Sequence, residues 1–244
     1  MCSKMNIIPL KSHNYSKKGR KLKSIKHLVI HYTGMQSMRA SLSRLLSKRH
    51  KVSCHYLIDR KGKIFKMVEE NKIAWHAGKS KWRQFKNLNK SSIGIELENK
   101  GHEFGYQKFS TKQIKVLINL CLLLKKKYQI KDSNILGHSD IAPLRKLDPG
   151  EKFPWFKLKK KRLGIWCSSS RMKTPRKSLN EKNSRNIFFA NLYKIGYRYF
   201  SLKKTSKLDR KIIKAFQRRF RQNNVNGLID PETLKISDYL TKNT

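Results

Sequence analysis

Residues 27–33 read "HLVIHYT" and residues 37–50 read "SMRASLSRLLSKRH". The first is a short run rich in β-branched and aromatic residues, as a strand requires. The second sets Leu42, Leu45 and Leu46 at helical spacing. A strand followed directly by a helix points to an α/β chain, and the next segments extend the pattern. "HYLIDRKGKIFKMV" (55–68) predicts two strands around a turn at Arg60 to Gly62, and "SIGIELEN" (92–99) predicts another strand. A long helix then starts at Ser110 or Thr111, both good caps, and runs to about Tyr128. Its buried stripe is Ile114, Leu117, Cys121 and Leu124, and Lys125, Lys126 and Lys127 complement the dipole at its C-terminal end. The expected fold is α/β, a mixed central β-sheet with flanking helices.

The chain has 244 residues, long enough for one full-sized domain or for one with a small companion. An apolar fraction of 38% can fill a core despite 30% charged residues. Lys and Arg number 58 against 15 Asp and Glu, a net charge of +43 at pH 7. That excess attracts polyanions, and nucleic acid, anionic lipid and acidic wall polymer all qualify as partners. It is equally consistent with lysine spread over solvated faces. No run of seven or more apolar residues near the N-terminus predicts a signal peptide, and "IKVLINLCLLL" is too short and too interrupted to span a bilayer. Cys2, Cys54, Cys121 and Cys167 are scattered without a C-x-x-C pair, which argues against a zinc finger or a disulfide framework.

Composition divides the chain into an N-terminal extension (1–24), a main domain (25–156), a basic linker (157–180) and a small all-α C-terminal domain (181–244). The linker reading rests on "KLKKKRLGIWCSSSRMKTPRKSLN", rich in Lys, Arg and Ser. Beyond it, Leu208, Ile212, Ala215, Phe216 and Phe220 share one helical face. Asp230 caps a last helix with Pro231 in its first turn.

Three residues have the chemistry of a hydrolytic zinc site: His31 at a strand end, and His138 and Asp148 in "GHSDIAPLRKLDPG" (137–150). Their spacing has no diagnostic local signature, so ordinary hydrogen-bonding histidines remain the competing reading. Asp140 suits local backbone capping better than metal binding. In the strand at 92–99, Ile93, Ile95 and Leu97 share one face while Gly94, Glu96 and Glu98 share the other. Glu96, with a like charge two positions on, is a candidate general base, or else part of a solvated face.

Together, "HLVIHYT", "VSCHYLIDRKGKI", "AWHAGKS", "SSIGIELEN" and "GHSDIAPLRKLDPG" resemble, in order, the zinc N-acetylmuramoyl-L-alanine amidases of the amidase-2 type, relatives of peptidoglycan recognition proteins. The resemblance implies Zn2+ held by His31, His138 and Asp148, with Glu96 and Lys146 as catalytic residues. It implies hydrolysis of the amide between N-acetylmuramic acid and L-alanine in peptidoglycan or muropeptides. Glu96 would move the proton and Lys146 would stabilise the oxyanion. Cys54 stands where the phage-lysozyme branch has a catalytic tyrosine, and that branch lacks the glutamate, so the chain resembles the bacterial glutamate-and-lysine branch. His55, Trp75 and His76 are candidates for the groove wall or for packing. "NLYKIGY", "AFQRRF" and "NGLIDPETL" resemble a small peptidoglycan-binding domain, which would tether the enzyme to polymeric wall.

The expected partner is therefore peptidoglycan or muropeptide, with no specific nucleic acid and no membrane span, in a monomer. The alternative is a recognition protein that binds peptidoglycan without cutting it. The expected compartment is the cytoplasm, with periplasmic or wall contact as the alternative.

Overall fold

The computed structural model of the protein describes residues 5–167 and 181–243. In chain order, the elements up to the long helix are β1 (Ile7–Pro9), β2 (Tyr15–Ser16), β3 (His27–Tyr32), α1 (Met38–Leu46), β4 (Tyr56–Ile58), β5 (Ile64–Lys66), β6 (Ile73–Ala74), β7 (Lys81–Trp82), β8 (Phe85–Lys86), β9 (Ser92–Leu97) and α2 (Thr111–Tyr128). There follow β10 (Ile135–Gly137), α3 (His138–Ile141), α4 (Trp155–Lys159), α5 (Glu181–Ile195), α6 (Asp209–Phe220) and α7 (Pro231–Lys242). The main sheet has the order β1-β5-β4-β9-β3-β10. β4, β9, β3 and β10 run parallel, and β5 turns antiparallel to β4 through the tight connection at 59–63. This is the mixed sheet with flanking helices that the strand and helix order predicts.

Side-chain alternation gives each face of the sheet its own cover. Leu28 and Ile30 of β3, with Ile93, Ile95 and Leu97 of β9, pack against Ile114, Leu117, Leu120, Cys121 and Leu124 of α2. Ser110 caps α2 by accepting from the Gln113 N–H at 3.1 Å, as its sequence position predicts. On the opposite face Val29 and Leu136 join Phe188, Phe189, Leu192, Ile212 and Phe216 of the C-terminal helices in a second buried cluster. Both faces are thus closed over apolar side chains, as mostly parallel sheets require.

Three sequence expectations change on contact with the structure. The N-terminal stretch is woven into the fold: β1 extends the sheet beside β5, and β2 pairs with β6. The stretch expected to be a linker is packed over residues 157–167, where Leu158, Leu163, Ile165 and Cys167 are buried. Basic residues hide the spaced apolar positions there, and residues 168–180 lie outside those described. Leu208 does not belong to the buried stripe of α6. It is the N-cap residue and 44% exposed, whereas Ile213 takes its place inside.

A polar knot sits at the far end of α2. Glu70 accepts hydrogen bonds from Tyr56 and Tyr128 and from Lys127 Nζ at 2.6 Å. Burial pushes its carboxyl up, but these donors outweigh that effect and hold it below its ordinary value. A depressed carboxylate contributes stability above its unfolded-state pKa of about 4.3 and loses it as pH falls through the lower folded value. Glu70→Gln should therefore flatten the acid limb of the pH–stability curve. Parallel acid limbs for both proteins in urea titrations would contradict this.

Candidate metal centre and active site

The site lies at the carboxyl ends of the parallel strands, where open α/β sheets leave a crevice. His31 of β3 and Glu96 of β9 are register partners, so strand pairing alone brings them side by side. The chain leaving β10 turns into α3, whose first residue is His138. The connection then returns so that the Ser139 N–H donates to the Asp148 carbonyl at 2.8 Å. That closure places Asp148 against both histidines.

The three donor atoms converge. His31 Nδ1 is 2.9 Å from His138 Nδ1 and 3.0 Å from Asp148 Oδ2, and His138 Nδ1 is 3.0 Å from the same oxygen. All three residues are buried and form a group able to hold a metal ion. Zinc at ligand distances of about 2.0–2.1 Å in tetrahedral geometry keeps its ligand atoms roughly 3.3 Å apart, close to this spacing. The protons fit as well. His138 Nε2 faces the Ala77 carbonyl at 3.2 Å, and a carbonyl only accepts. In the neutral ring Nδ1 is then left with its lone pair toward Asp148. Burial, then His138 beside it, pushes His31 down to about 4, so it is neutral at pH 7. Burial pushes Asp148 up, but the two imidazoles outweigh that and hold it well below the usual carboxylate range. Two imidazole nitrogens and one ionised carboxylate oxygen, converging at this spacing, suit a zinc-type cation.

Glu96 is partly open to the groove, yet its Oε2 is buried with no hydrogen-bond partner. Burial first, and Asp148 second, push its carboxyl up to about 8. The sequence pointed to Glu98 as the like charge. Glu98 instead accepts from the Arg60 N–H at 2.9 Å, and the charge that acts on Glu96 is Asp148, brought in by the fold. Lys146 is half-buried on the same groove, and its amine makes no hydrogen bond or ion pair among the described residues. The groove has a volume of about 510 Å³ and is lined by His31, Glu96, His138, Lys146 and Asp148 together with Trp75 and His76. Trp75 and His76 thus reach the wall, whereas His55 is fully buried and accepts from the Gly94 N–H at 3.0 Å. Cys54 is buried too, with its thiol pushed up by burial and 3.6 Å from Met67 Sδ.

Sequence reasoning missed Arg145. Its Nη2 donates to the Ala77 carbonyl at 2.5 Å and to the Lys79 carbonyl at 2.9 Å, pinning one rim of the groove. Backbone acceptors leave no trace in a residue pattern. Sequence reasoning also undervalued Asp140, which is fully buried. Its Oδ2 accepts from the Gly137 N–H at 2.7 Å and pairs with Arg219, while Oδ1 accepts from Tyr197 at 2.5 Å. Arg219 also donates to the Ile135 carbonyl at 3.1 Å and lies 4.0 Å over the Trp155 ring. The segment carrying His138 is therefore bolted to α6.

A cation site of acceptor atoms, next to a carboxyl poised to exchange a proton near neutrality, suits the cleavage of a stable bond by water. Fold and site together define a metal-dependent hydrolase. Comparison with known proteins narrows this class. The N-acetylmuramoyl-L-alanine amidase family profile, Amidase_2, matches residues 21–151. The chain is 38% identical over 231 residues to the N-acetylmuramoyl-L-alanine amidase AmiD of Escherichia coli, covering 88% of this chain and 82% of that protein. It is 42% identical over 106 residues to the 1,6-anhydro-N-acetylmuramyl-L-alanine amidase AmpD of Haemophilus influenzae, covering 43% of this chain and 55% of that one. The solved complex of E. coli AmiD with anhydro-N-acetylmuramic acid-L-Ala-D-gamma-Glu-L-Lys superposes with a TM-score of 0.79 at 35% identity, over 93% of this chain and 92% of that one. AmpDh3 of Pseudomonas aeruginosa superposes with a TM-score of 0.77 at 27% identity, over 93% and 94%. The chain belongs to the N-acetylmuramoyl-L-alanine amidase family.

Proposed function

We propose that this amidase is a zinc enzyme that cuts the amide between the lactyl group of N-acetylmuramic acid and L-alanine in muropeptides, with His31, His138 and Asp148 as metal ligands. The observation that carries the proposal is the convergence of those three donors with Glu96 and Lys146 on one groove. A zinc ion held there would polarise the scissile carbonyl and activate water at neutral pH.

This chain's own residues account for the proton traffic. Glu96 takes a proton from the attacking water and returns it to the leaving nitrogen, so the C–N bond breaks to a carboxylic acid and an amine, and the acid's proton passes to the amine to leave a carboxylate and an ammonium. Burial makes the Glu96 carboxylate more basic than an exposed one, which favours the first transfer, and the acid so formed supplies the proton for the second. Lys146, whose amine makes no hydrogen bond or ion pair among the described residues, stabilises the oxyanion that forms as water adds to the carbonyl. A protein that only recognised peptidoglycan would not need this carboxyl and this amine facing the same metal-binding cluster.

The proposed substrate is an anhydromuropeptide of the kind bound by the AmiD structure. The helical segment 181–244 is proposed to form the peptidoglycan-binding part of a monomer. Among the described residues no helix is long and apolar enough to cross a membrane.

Chelation tests the metal. Dialysis against a zinc chelator should abolish release of the stem peptide, and one equivalent of zinc should restore it. Full turnover by protein shown by elemental analysis to be metal-free would refute the zinc mechanism.

A further inference from the structure

The short segment Trp75 to Gly78 does more than line the groove. His76 Nδ1 lies 3.0 Å from His31 Nε2, and the next carbonyl, Ala77, takes His138 Nε2. Both histidines thus meet consecutive residues of one segment through the nitrogen that faces away from Asp148. The segment is itself held: Asn89 Oδ1 accepts the N–H of His76 at 3.1 Å and of Ala77 at 2.6 Å. Gly94 beneath it has no side chain, and a Cβ there would overlap the His76 ring.

We infer that residues 76 and 77 form a clamp that fixes the tautomers of both metal-binding imidazoles, with His76 as the positioning residue for His31. The proton order follows from the end of the chain of contacts. Ser92 Oγ lies 2.5 Å from the Leu88 carbonyl and donates to it, because a carbonyl offers no proton. Having spent its proton, Ser92 accepts from His76 Nε2 at 3.1 Å. His76 Nδ1 is then bare and accepts from His31 Nε2. His31 Nδ1 is left with its lone pair directed at the His138 and Asp148 donor atoms. For His138 the Ala77 carbonyl, at 3.2 Å and nearer to Nε2 than the Arg145 Nη2 at 3.4 Å, does the same work in one step. The His31 and His76 rings pack nearly perpendicular, 84° between planes, with centroids 5.1 Å apart. Partners of this kind orient metal ligands and raise their basicity.

The inference rests on the zinc reading of the site, and the test separates the two. Long-range proton–nitrogen NMR on the zinc-loaded full-length protein reads each tautomer without any substitution. His31 should be protonated at Nε2, and His76 should be protonated at Nε2 and bare at Nδ1. A proton on His76 Nδ1 overturns the clamp. Zinc titrations give the energetic readout. His76→Leu should bind zinc about 10- to 100-fold more weakly, while His76→Asn, whose Oδ1 replaces the Nδ1 acceptor, should stay within a few fold. Thermal melts of the metal-free variants check that both fold. Equal affinity in wild type and a folded His76→Leu sinks the clamp alone, whereas a wild type that binds no zinc removes the zinc reading and the clamp together.

Discussion

Glu96→Gln is expected to lower kcat by about 100- to 10,000-fold, the usual worth of a positioned general acid–base group. Glutamine keeps the shape of the side chain and abolishes its proton chemistry. KM should change little, because the carboxyl acts on the proton in flight. Zinc affinity should also hold, since Glu96 is not among the three converging donors. The variant removes a buried titrating group with an unpartnered oxygen, so its stability should match or exceed that of the parent. The measurements are steady-state kinetics on an anhydromuropeptide, zinc titration and a urea melt. A kcat within tenfold of wild type would exclude Glu96 as the proton carrier.

The second large effect is expected at a pair outside the groove lining. Arg219→Met should cost about 3–5 kcal/mol of stability, the usual consequence of stripping one partner from a buried ion pair. Both side chains of the Asp140–Arg219 pair are almost wholly excluded from solvent, so the abandoned carboxylate has no water to turn to. Asp140 also receives the Gly137 N–H, which begins the turn into His138, so the same substitution should loosen the metal-ligand segment. Arg219→Met combined with Asp140→Asn should recover part of the loss by removing the stranded charge. Urea denaturation of the single and double variants reads this directly, and a loss below 1 kcal/mol in Arg219→Met would refute it.

What could be read in advance divides along physical lines. Periodicity exposed β3, β9 and α2, because an alternating or helical apolar pattern is written locally. The register that sets His31 beside Glu96 is not local, and neither is the return that brings Asp148 to both histidines. Those residues could be named as candidates by their chemistry, but only the resemblance to a family implied that they act together. Glu96 was legible as a carboxylate on the polar face of its strand, but its electrostatic partner was misplaced, since Asp148 lies far away in sequence. Residues 157–167 were misread because their basic side chains mask Leu158, Leu163 and Ile165, which are buried. Arg219 was invisible as an ion-pair partner, being one arginine among 58 basic residues.

The bolt between Asp140 and Arg219 also orders events at the ribosome. Synthesis delivers the strands, the histidines and Asp148 first, and domains generally begin to fold in that order. Until α6 emerges, Asp140 has no cation to meet and the sheet face around Val29 and Leu136 has no cover. The nascent chain therefore holds every proposed catalytic group before it can hold them still.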